Sequence, residues 1–343
     1  MVRRDCHSER SEEFHGFCRI LRFAHDNIDI MADTAIVWDD RYTLHEMGYM
    51  HPETPRRLMA IKTVLDGDGV GRELGTLDAR AATEEELAYV HDENYIKRVA
   101  GTAGLAFTAL DPDTSANSHT WDAARFAAGG FIRCVEEVEA GRFKNAFGFV
   151  RPPGHHAERG HAMGFCFFNN VAIAAEWLIK NRGIERIAIV DFDVHHCNGT
   201  QHSFYTRPDV FVASVHRYPF YPGTGAAEEI GEGKGRGANL NIPLPAGVGD
   251  DAYKRAFDKE IIPNVQKFEP QFILVSAGYD SHVSDPLGGM RVTTDGFKWM
   301  MEVLVQLAHE CCKGKLAVVL EGGYDIKALR DSVEAQLEVM VSE

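Results

Sequence analysis

The sequence lacks the marks of several large classes of protein. Its apolar runs are too short to cross a bilayer, which excludes a membrane-spanning helix. Residues 1–30 have early arginines but no continuous apolar core, so they are not predicted to be a signal peptide. Because residues 31–343 contain no internal repeat, linker or low-complexity stretch, we predict one domain there. Residues 1–30 are predicted to be a mobile extension or a start-codon artefact, with Met31 as the true start.

Paired cysteines are also missing. The cysteines are odd in number, and none stands in a CxxC pair. This composition disfavours a disulfide framework and favours a reducing compartment, so we expect a cytoplasmic protein. The seven are Cys6, Cys18, Cys134, Cys166, Cys197, Cys311 and Cys312.

Positive charge is scarce. Lysine and arginine number 36 against 51 aspartates and glutamates, which gives a formal net charge of −15. An acidic chain repels DNA and anionic lipid, so we expect neither direct nucleic-acid binding nor membrane binding. A cationic partner such as a lysine-rich segment is compatible with this charge. The sequence leaves open whether the chain forms a homo-oligomer.

A phosphate-binding loop is absent as well. The glycine-rich segment "GEGKGRG" at 231–237 matches neither G-x-x-x-x-G-K-[ST] nor G-x-G-x-x-G. This disfavours a nucleotide enzyme that would hold Mg²⁺ on the paired aspartates of "IVDFD".

Short apolar runs alternate with amphipathic stretches along the chain. This alternation predicts β-α-β units, and hence an α/β fold with a mostly parallel sheet covered by helices on both faces. The candidate strands are 34–38, 145–150, 187–192, 209–215, 272–276 and 315–320. The candidate helices lie near 55–66, 83–99, 121–140, 170–182, 250–267, 294–312 and 325–341.

Polar and glycine-rich segments follow five of these strands. In open α/β sheets the carboxyl ends of the strands form the edge where ligands bind, so we predict that the five segments meet there. The segments are "RPPGHHAERGH", "DFDVHH", "SVHRYPFYPGTG", "SAGYDSH" and "LEGGYD".

The segment "DFDVHH" has the alternation expected of metal ligands. Residues two apart in an extended chain point to the same side, so Asp193 and His195 can face one point, with Asp191 deeper in the strand. Carboxylate and imidazole ligands suit zinc or ferrous iron. Asp280 of "SAGYDSH" is the best third ligand. Three protein ligands with one open position are typical of a catalytic site.

The pair His155–His156 in "GHHA" is structural in most settings. Beside a metal with an open position, however, a bound water needs a base and a leaving amine needs an acid. Asp191 can orient His155, and Asn198 can orient His156. Because an Asp partner favours a charged imidazolium, we predict His156 as the general base and His155 as its electrostatic partner.

Tyr324 in "LEGGYD" completes the candidate catalytic set. The flanking glycines let the chain approach the site closely. A phenol there can donate a hydrogen bond to a carbonyl oxygen that becomes an oxyanion. The alternative is a tyrosine that only packs at a strand end.

These motifs together resemble the zinc-dependent histone deacetylases, with the acetylpolyamine amidohydrolases and the bacterial histone-deacetylase-like amidohydrolases. The resemblance spans roughly residues 34–325 in the family's order. It implies the arginase-like α/β fold, zinc held by Asp193, His195 and Asp280, and a catalytic Tyr324. The motifs are "HPETPRRL", "RPPGHHA", "GFCFFNN", "DFDVHHCNGTQ", "PGTG", "SAGYDSH", "DPLGG" and "LEGGYD".

The resemblance also implies two sites for a monovalent cation, K⁺. The site beneath the zinc would use backbone and side-chain atoms of Asp191, Asp193, His195, Ser214 and Val215. A second site would use mostly carbonyl groups near Phe204, Arg207 and Val210.

Substrate contacts are likewise implied by the resemblance. Phe165, with Gly164 before it, and Tyr221 match the walls of a channel for a lysine side chain. Asp113 matches a rim aspartate that binds the substrate backbone, and Arg57 lies at the inner end, where acetate could leave.

Smaller features indicate a subtype. Asn198 and Glu321 look like the class II branch, and Glu321 is expected to accept hydrogen bonds inside its loop. Leu287 stands where polyamine-selective relatives have a glutamate, which favours an acyl-lysine substrate. Cys197 departs from the usual glycine of the class II relatives. It is interpreted as a packing residue, or otherwise as a redox-sensitive thiol that disturbs the turn.

The expected activity is zinc-dependent removal of acetyl or other acyl groups from the side-chain amide of lysine in proteins or peptides. One alternative is deacetylation of acetylpolyamines or other small N-acyl amines. A non-catalytic acyl-lysine binding protein would be expected to have lost a metal ligand, the His pair or Tyr324. A two-metal ureohydrolase would need further Asp or His ligands.

Overall fold

The computed structural model describes residues 32–342. The predicted extension at 1–30 lies outside the described residues. The strands are β1 (Thr34–Trp38), β2 (Leu74–Asp78), β3 (Thr108–Asp111), β4 (Thr114–Ala116), β5 (Asn145–Gly148), β6 (Ile187–Asp191), β7 (Val210–Arg217), β8 (Asn239–Leu244), β9 (Phe272–Ala277) and β10 (Leu316–Leu320). The α-helices are α1 (Pro55–Leu65), α2 (Glu84–Leu87), α3 (Glu93–Ala100), α4 (Thr120–Glu139), α5 (Asn170–Arg182), α6 (Asn198–Phe204), α7 (Asp250–Ala256), α8 (Ile262–Phe268), α9 (Thr294–Cys312) and α10 (Ile326–Val341).

Eight strands form one parallel sheet in the order β2-β1-β5-β10-β9-β6-β7-β8, and helices cover its faces. The predicted α/β fold is therefore confirmed. All six predicted strands lie in this sheet, and the two edge strands, β2 and β8, were not predicted. The remaining two strands, β3 and β4, form a separate antiparallel hairpin.

The central strands are buried along their whole length, and nearly all of their residues are apolar. Every residue of β6, β9 and β10 is buried. A parallel strand covered on both faces needs such a continuous run, because neither face meets water. The buried run "IAIVD" of β6 ends at Asp191. The carboxylate of this residue therefore lies at the carboxyl-terminal edge of the sheet.

Two predicted helices are divided. The stretch 83–99 forms α2, which begins with a capping box between Thr83 and Glu86, and then α3. The stretch 250–267 forms α7 and α8, joined by a π-helical turn at Phe257–Ile261. Pro263 follows this turn and has no N–H for an intrahelical hydrogen bond, so the α-helical pattern does not run through unbroken. The short helix α6 was not predicted.

Two further features concern membranes and cysteines. Within residues 32–342, no helix has the length and apolarity needed to cross a membrane. The five cysteines in this range are all free thiols: Cys134, Cys166, Cys197, Cys311 and Cys312.

Candidate active site

The five polar segments follow five neighbouring strands. In sheet order these strands are β5, β10, β9, β6 and β7, and all run in the same direction. Their carboxyl ends therefore lie side by side at one edge. The predicted convergence of the segments follows from this topology, and the side chains they carry are close together.

Asp193, His195 and Asp280 form a compact cluster. One ligand atom from each lies within 4.8 Å of the others. His195 Nδ1 is 3.0 Å from Asp193 Oδ1 and 3.1 Å from Asp280 Oδ2. Both aspartates are buried, and apart from this contact with His195 no donor faces Asp280 Oδ2. A buried carboxylate oxygen without a donor is costly unless a cation neutralises it.

The donor set fits a divalent metal ion. Burial and the neighbouring Asp193 carboxylate raise the pKa of Asp280 to about 7, because two buried carboxylates repel each other. A cation between them would remove that penalty. Two carboxylates and one imidazole are ligands that zinc and ferrous iron accept, and three protein ligands leave a coordination position open.

Two glycines allow the chain to pass close to these carboxylates. A Cβ atom on Gly278 would overlap with the Asp193 carboxylate, and one on Gly322 would overlap with Asp193 and Asp280. The N–H of Gly322 donates to Asp193 Oδ2 at 2.8 Å. The loops after β9 and β10 therefore need glycine at these two positions if the carboxylates are to keep their places.

His155 and His156 are buried beside the cluster, with ring centroids 3.9 Å apart. His155 Nδ1 lies 3.0 Å from Asp191 Oδ2, and His156 Nδ1 lies 2.7 Å from Asn198 Oδ1. Both pairings agree with the predicted ones. Burial alone would lower the pKa of His155, but the Asp191 and Asp193 carboxylates raise that pKa to about 10. Burial and the charge of His155 lower the pKa of His156.

Glu321 joins the loops after β5 and β10. Its Oε2 accepts hydrogen bonds from the N–H groups of Gly154 (2.7 Å) and His155 (3.1 Å). Its Oε1 accepts one from Ser276 Oγ at 3.3 Å. It therefore acts as the acceptor inside the loop that the sequence predicted.

Tyr324 is fixed by a residue that sequence reasoning did not assign. The N–H groups of Tyr324 and Asp325 donate to Asp285 Oδ2 at 2.7 and 3.2 Å. Asp285 Oδ1 accepts from the N–H of Leu287 at 2.8 Å, so one buried carboxylate ties two loops together. The only sequence feature that pointed to Asp285 was its position at the start of "DPLGG".

Arg57 lies behind the tyrosine and is completely buried. Its guanidinium donates to the carbonyl oxygens of Glu321 and Gly323, and its Cζ is 5.1 Å from the centre of the Tyr324 ring. The predicted inner position of Arg57 agrees with this placement.

Two aromatic rings flank the cluster. Phe165 packs edge-on against Tyr324 at 5.9 Å, and Tyr221 packs edge-on against His156 at 5.2 Å. Gly164 and Phe165 both have positive φ (56° and 69°), which turns the chain sharply at the wall. Both rings thus border the candidate catalytic side chains, and their role as channel walls stays a prediction.

The other predicted substrate-contact residues, Asp113 and Leu287, are partly exposed. The Oδ1 of Asp113 accepts hydrogen bonds from the N–H of Gly164 (3.0 Å) and from Thr114 Oγ1 (2.7 Å). Leu287 is 38% exposed. Phe220 was not predicted: it stacks on His195 with centroids 5.1 Å apart.

The residues of the suggested monovalent-cation sites fall into two places. Asp191 and Ser214 are partners in the register of β6 and β7, and Ser214 Oγ lies 2.9 Å from His216 Nδ1. Val215 follows Ser214 in β7, and Asp193 and His195 lie in the loop after β6. Phe204, Arg207 and Val210 lie where α6 ends and β7 begins.

Cys197 is buried at the start of α6 with φ −80° and ψ 63°. This backbone conformation does not require glycine, so the departure from the expected residue leaves the turn intact. The thiol fills space in the core, in agreement with the packing interpretation.

Comparisons with known proteins agree with this geometry. A family model described as the histone deacetylase domain matches residues 51–340. A protein named "Probable deacetylase" from Archaeoglobus fulgidus is 42% identical over 296 residues, which cover 86% of this chain and 82% of the relative. The "Histone deacetylase-like amidohydrolase" of Pseudomonas aeruginosa is 40% identical over 275 residues, covering 80% of this chain and 72% of that protein. The crystal structure of the HDA15 HD domain superposes with a TM-score of 0.87 at 40% identity, covering 91% and 89% of the two chains.

Proposed function

Because the chain belongs to the histone deacetylase family, we propose that it is a zinc-dependent amidohydrolase that removes acetyl or other acyl groups from lysine side chains of proteins or peptides. The observation that carries this proposal is the Asp193–His195–Asp280 cluster beside a histidine pair with opposite pKa shifts.

The metal would be held by Asp193, His195 and Asp280, with Fe²⁺ as a possible substitute for Zn²⁺. When bound, such an ion polarises a carbonyl oxygen and lowers the pKa of a coordinated water. K⁺ would occupy the site at Asp191 and Ser214, and the site near Phe204 and Val210, as a structural ion.

The histidine pair would move the protons. With its pKa lowered and Nδ1 turned to Asn198, His156 is neutral and presents Nε2 as a general base to the attacking water. His155, paired with Asp191, stays charged and stabilises negative charge in the transition state. His156 or His155 then protonates the departing amine.

The remaining residues would hold the substrate. The hydroxyl of Tyr324 donates to the carbonyl oxygen as that oxygen becomes negative. Phe165 and Tyr221 contact the apolar methylene stem of the lysine. Asp113 accepts a backbone N–H of the substrate, and Arg57 attracts the acetate product at the inner end.

The substrate is proposed to be an acyl-lysine because Leu287 offers no charge to a polyamine. Acetylpolyamines and other small N-acyl amines are the alternative class. We also propose a cytoplasmic location without nucleic-acid or membrane binding, supported by the free thiols and the net charge of −15.

The test is turnover of the zinc-loaded protein on acetyl-lysine peptides, longer acyl-lysine peptides and acetylpolyamines. We expect acetate release from the peptides, and loss of activity with a chelator that zinc reverses. Tyr324→Phe should lower kcat by about 10²–10³, the usual effect of losing one oxyanion donor. Tyr89→Phe, at a partly buried tyrosine whose hydroxyl accepts a hydrogen bond from Asn181 Nδ2, is the matched control.

Two results would contradict the proposal. A metal-free protein that stays inactive after addition of Zn²⁺ or Fe²⁺ would leave only acyl-lysine binding. Preferential turnover of acetylpolyamines would refute the substrate class and keep the amidohydrolase.

A further inference from the structure

A chain of hydrogen bonds leads from His156 to the protein surface. His156 Nδ1 lies 2.7 Å from Asn198 Oδ1, and Asn198 Nδ2 donates to Glu158 Oε1 at 2.7 Å. The same oxygen of Glu158 lies 2.9 Å from Nδ1 of the half-exposed His202. His156 and Asn198 are buried, whereas the Glu158 side chain is 32% exposed.

The direction of this chain is fixed at Glu158. A carboxylate only accepts hydrogen bonds, so the Asn198 atom that faces it must be the NH₂ group. Asn198 Oδ1 then faces His156, and because a carbonyl oxygen only accepts, His156 must hold its proton on Nδ1. In the neutral ring the lone pair is then on Nε2.

Without Glu158 the amide of Asn198 could rotate by 180°. Its NH₂ group would then donate to His156 Nδ1, and the neutral ring would hold its proton on Nε2. A general base needs a free lone pair on that nitrogen. The other contacts of Asn198 Nδ2, to the carbonyl oxygen of His156 and to Met163 Sδ, are both 3.4 Å long. They are much weaker than a bond of 2.7 Å to a carboxylate.

We propose that Glu158 is a positioning residue for the general base: it fixes the orientation of the Asn198 amide and so holds the proton of His156 on Nδ1. This inference rests on the proposed function, in which His156 is the base. Glu158 contacts neither the cluster of candidate metal ligands nor the channel walls, and it acts only through Asn198.

The surroundings keep Glu158 in place and ionised. Its backbone N–H donates to the carbonyl oxygen of His161 at 3.0 Å, and its carbonyl oxygen lies 2.9 Å from His91 Nδ1. The hydrogen bond from His202 lowers the pKa of the Glu158 carboxyl. It therefore remains an acceptor at neutral pH.

Two variants separate orientation from packing. Glu158→Leu removes the acceptor and should lower kcat by roughly 10- to 100-fold, the usual cost of losing a partner that orients a site residue. KM should stay unchanged, because Glu158 does not contact the substrate channel. Glu158→Gln keeps an oxygen that can accept from Asn198 and should retain most of the wild-type kcat. Glu93→Leu, at an exposed glutamate outside this hydrogen-bond chain, is the control, with kcat unchanged.

A second measurement does not depend on catalysis. In protein labelled with ¹⁵N-histidine, NMR reports which ring nitrogen of His156 carries the proton. We expect the Nδ1–H form in the wild type and in Glu158→Gln, and a gain of the Nε2–H form in Glu158→Leu.

The outcomes distinguish the two proposals. If Glu158→Leu retains both its kcat and the Nδ1 proton of His156, the positioning role is wrong. If kcat falls as far in Glu158→Gln as in Glu158→Leu, the accepting oxygen at position 158 does not explain the effect, and the inference also fails. If the wild type is inactive on every acyl amide but the proton shifts in Glu158→Leu, the positioning role holds and the proposed function fails.

Discussion

Two adjacent histidines in this protein have opposite pKa shifts. His155 and His156 are equally buried, so burial lowers both pKa values. The difference comes from their partners: a carboxylate, Asp191, for one and a neutral amide, Asn198, for the other. The charge of the neighbouring groups thus decides which ring is charged and which is free to accept a proton: Asp191 and Asp193 raise the pKa of His155, whereas the charge of His155 lowers the pKa of His156.

Cys197 stands where the family resemblance implies a glycine. Burial and the nearby Asp191 carboxylate raise the pKa of its thiol well above the ordinary value. The reactive thiolate is therefore scarce, and the side chain is fully buried.

We expect Cys197 to resist alkylation in the folded protein. Iodoacetamide followed by mass spectrometry should modify the partly exposed Cys311 before Cys197 and leave Cys197 unmodified until urea unfolds the chain. Rapid labelling of Cys197 under native conditions would contradict the packing interpretation and indicate a redox-sensitive thiol.

At the scale of elements, the loops after β9 and β10 depend on glycine. Gly322→Ala introduces a Cβ that overlaps with Asp193 and Asp280, so the carboxylates must move apart. We expect a weaker zinc affinity, measured by competition with a chromogenic chelator.

Gly69→Ala is the control for this variant, because a Cβ on Gly69 would meet nothing within 4 Å. Zinc affinity in Gly322→Ala equal to that of the wild type would show that the two aspartates do not hold the ion as proposed.

Burial explains which elements the sequence predicted. The six central strands are apolar runs and were found, whereas β2 (LGTLD) and β8 (NLNIPL) are edge strands with several partly exposed positions. An edge strand needs no continuous apolar run, and it tolerates glycine and proline. These two strands consequently look like loops in the sequence.

The same limit applies to predicting the residues of the candidate site from the sequence. Residues that closely follow a buried strand, such as Asp193 and Asp280, stand out because charge follows an apolar run. Asp285, Glu158 and Phe220 have no such flanking pattern. Their contacts arise only from the way that separate loops meet, and spacing along the chain does not encode that.

At the scale of the whole molecule, a buried charge cluster ties distant segments together. Glu53, Arg57 and Arg151 are fully or almost fully buried. Glu53 accepts hydrogen bonds from both arginines, and Arg151 also donates to the carbonyl oxygen of Tyr42 at 2.7 Å. Glu53 and Arg151 lie 98 positions apart in the chain, so no local pattern predicts their pairing.

Glu53→Gln should destabilise the protein by about 3–5 kcal/mol, because it leaves two buried arginines without their carboxylate. Burial would raise the pKa of Glu53, but Arg151 and Arg57 outweigh it and lower the pKa from 4.5 to about 2. Since the folded pKa is the lower one, the stabilisation is complete above pH 4.5 and is lost as the pH falls towards 2.

Urea unfolding between pH 3 and 7 checks both parts of this prediction. The wild type should lose stability on acidification, and Glu53→Gln should show a smaller slope from a lower starting value. Glu93→Gln, at an exposed glutamate, is the control. An identical acid slope in Glu53→Gln and the wild type would disprove the assignment.

The strand order has a consequence for biosynthesis. β10, the last strand in the chain, lies between β5 and β9 in the middle of the sheet. A nascent chain that has not yet released β10 from the ribosome has only two sheet fragments, β2-β1-β5 and β9-β6-β7-β8, each with an unpaired edge. Its histidine pair then lies on one fragment and its candidate metal ligands on the other, so a nascent chain is expected to be inert until β10 has left the ribosome and paired with both fragments.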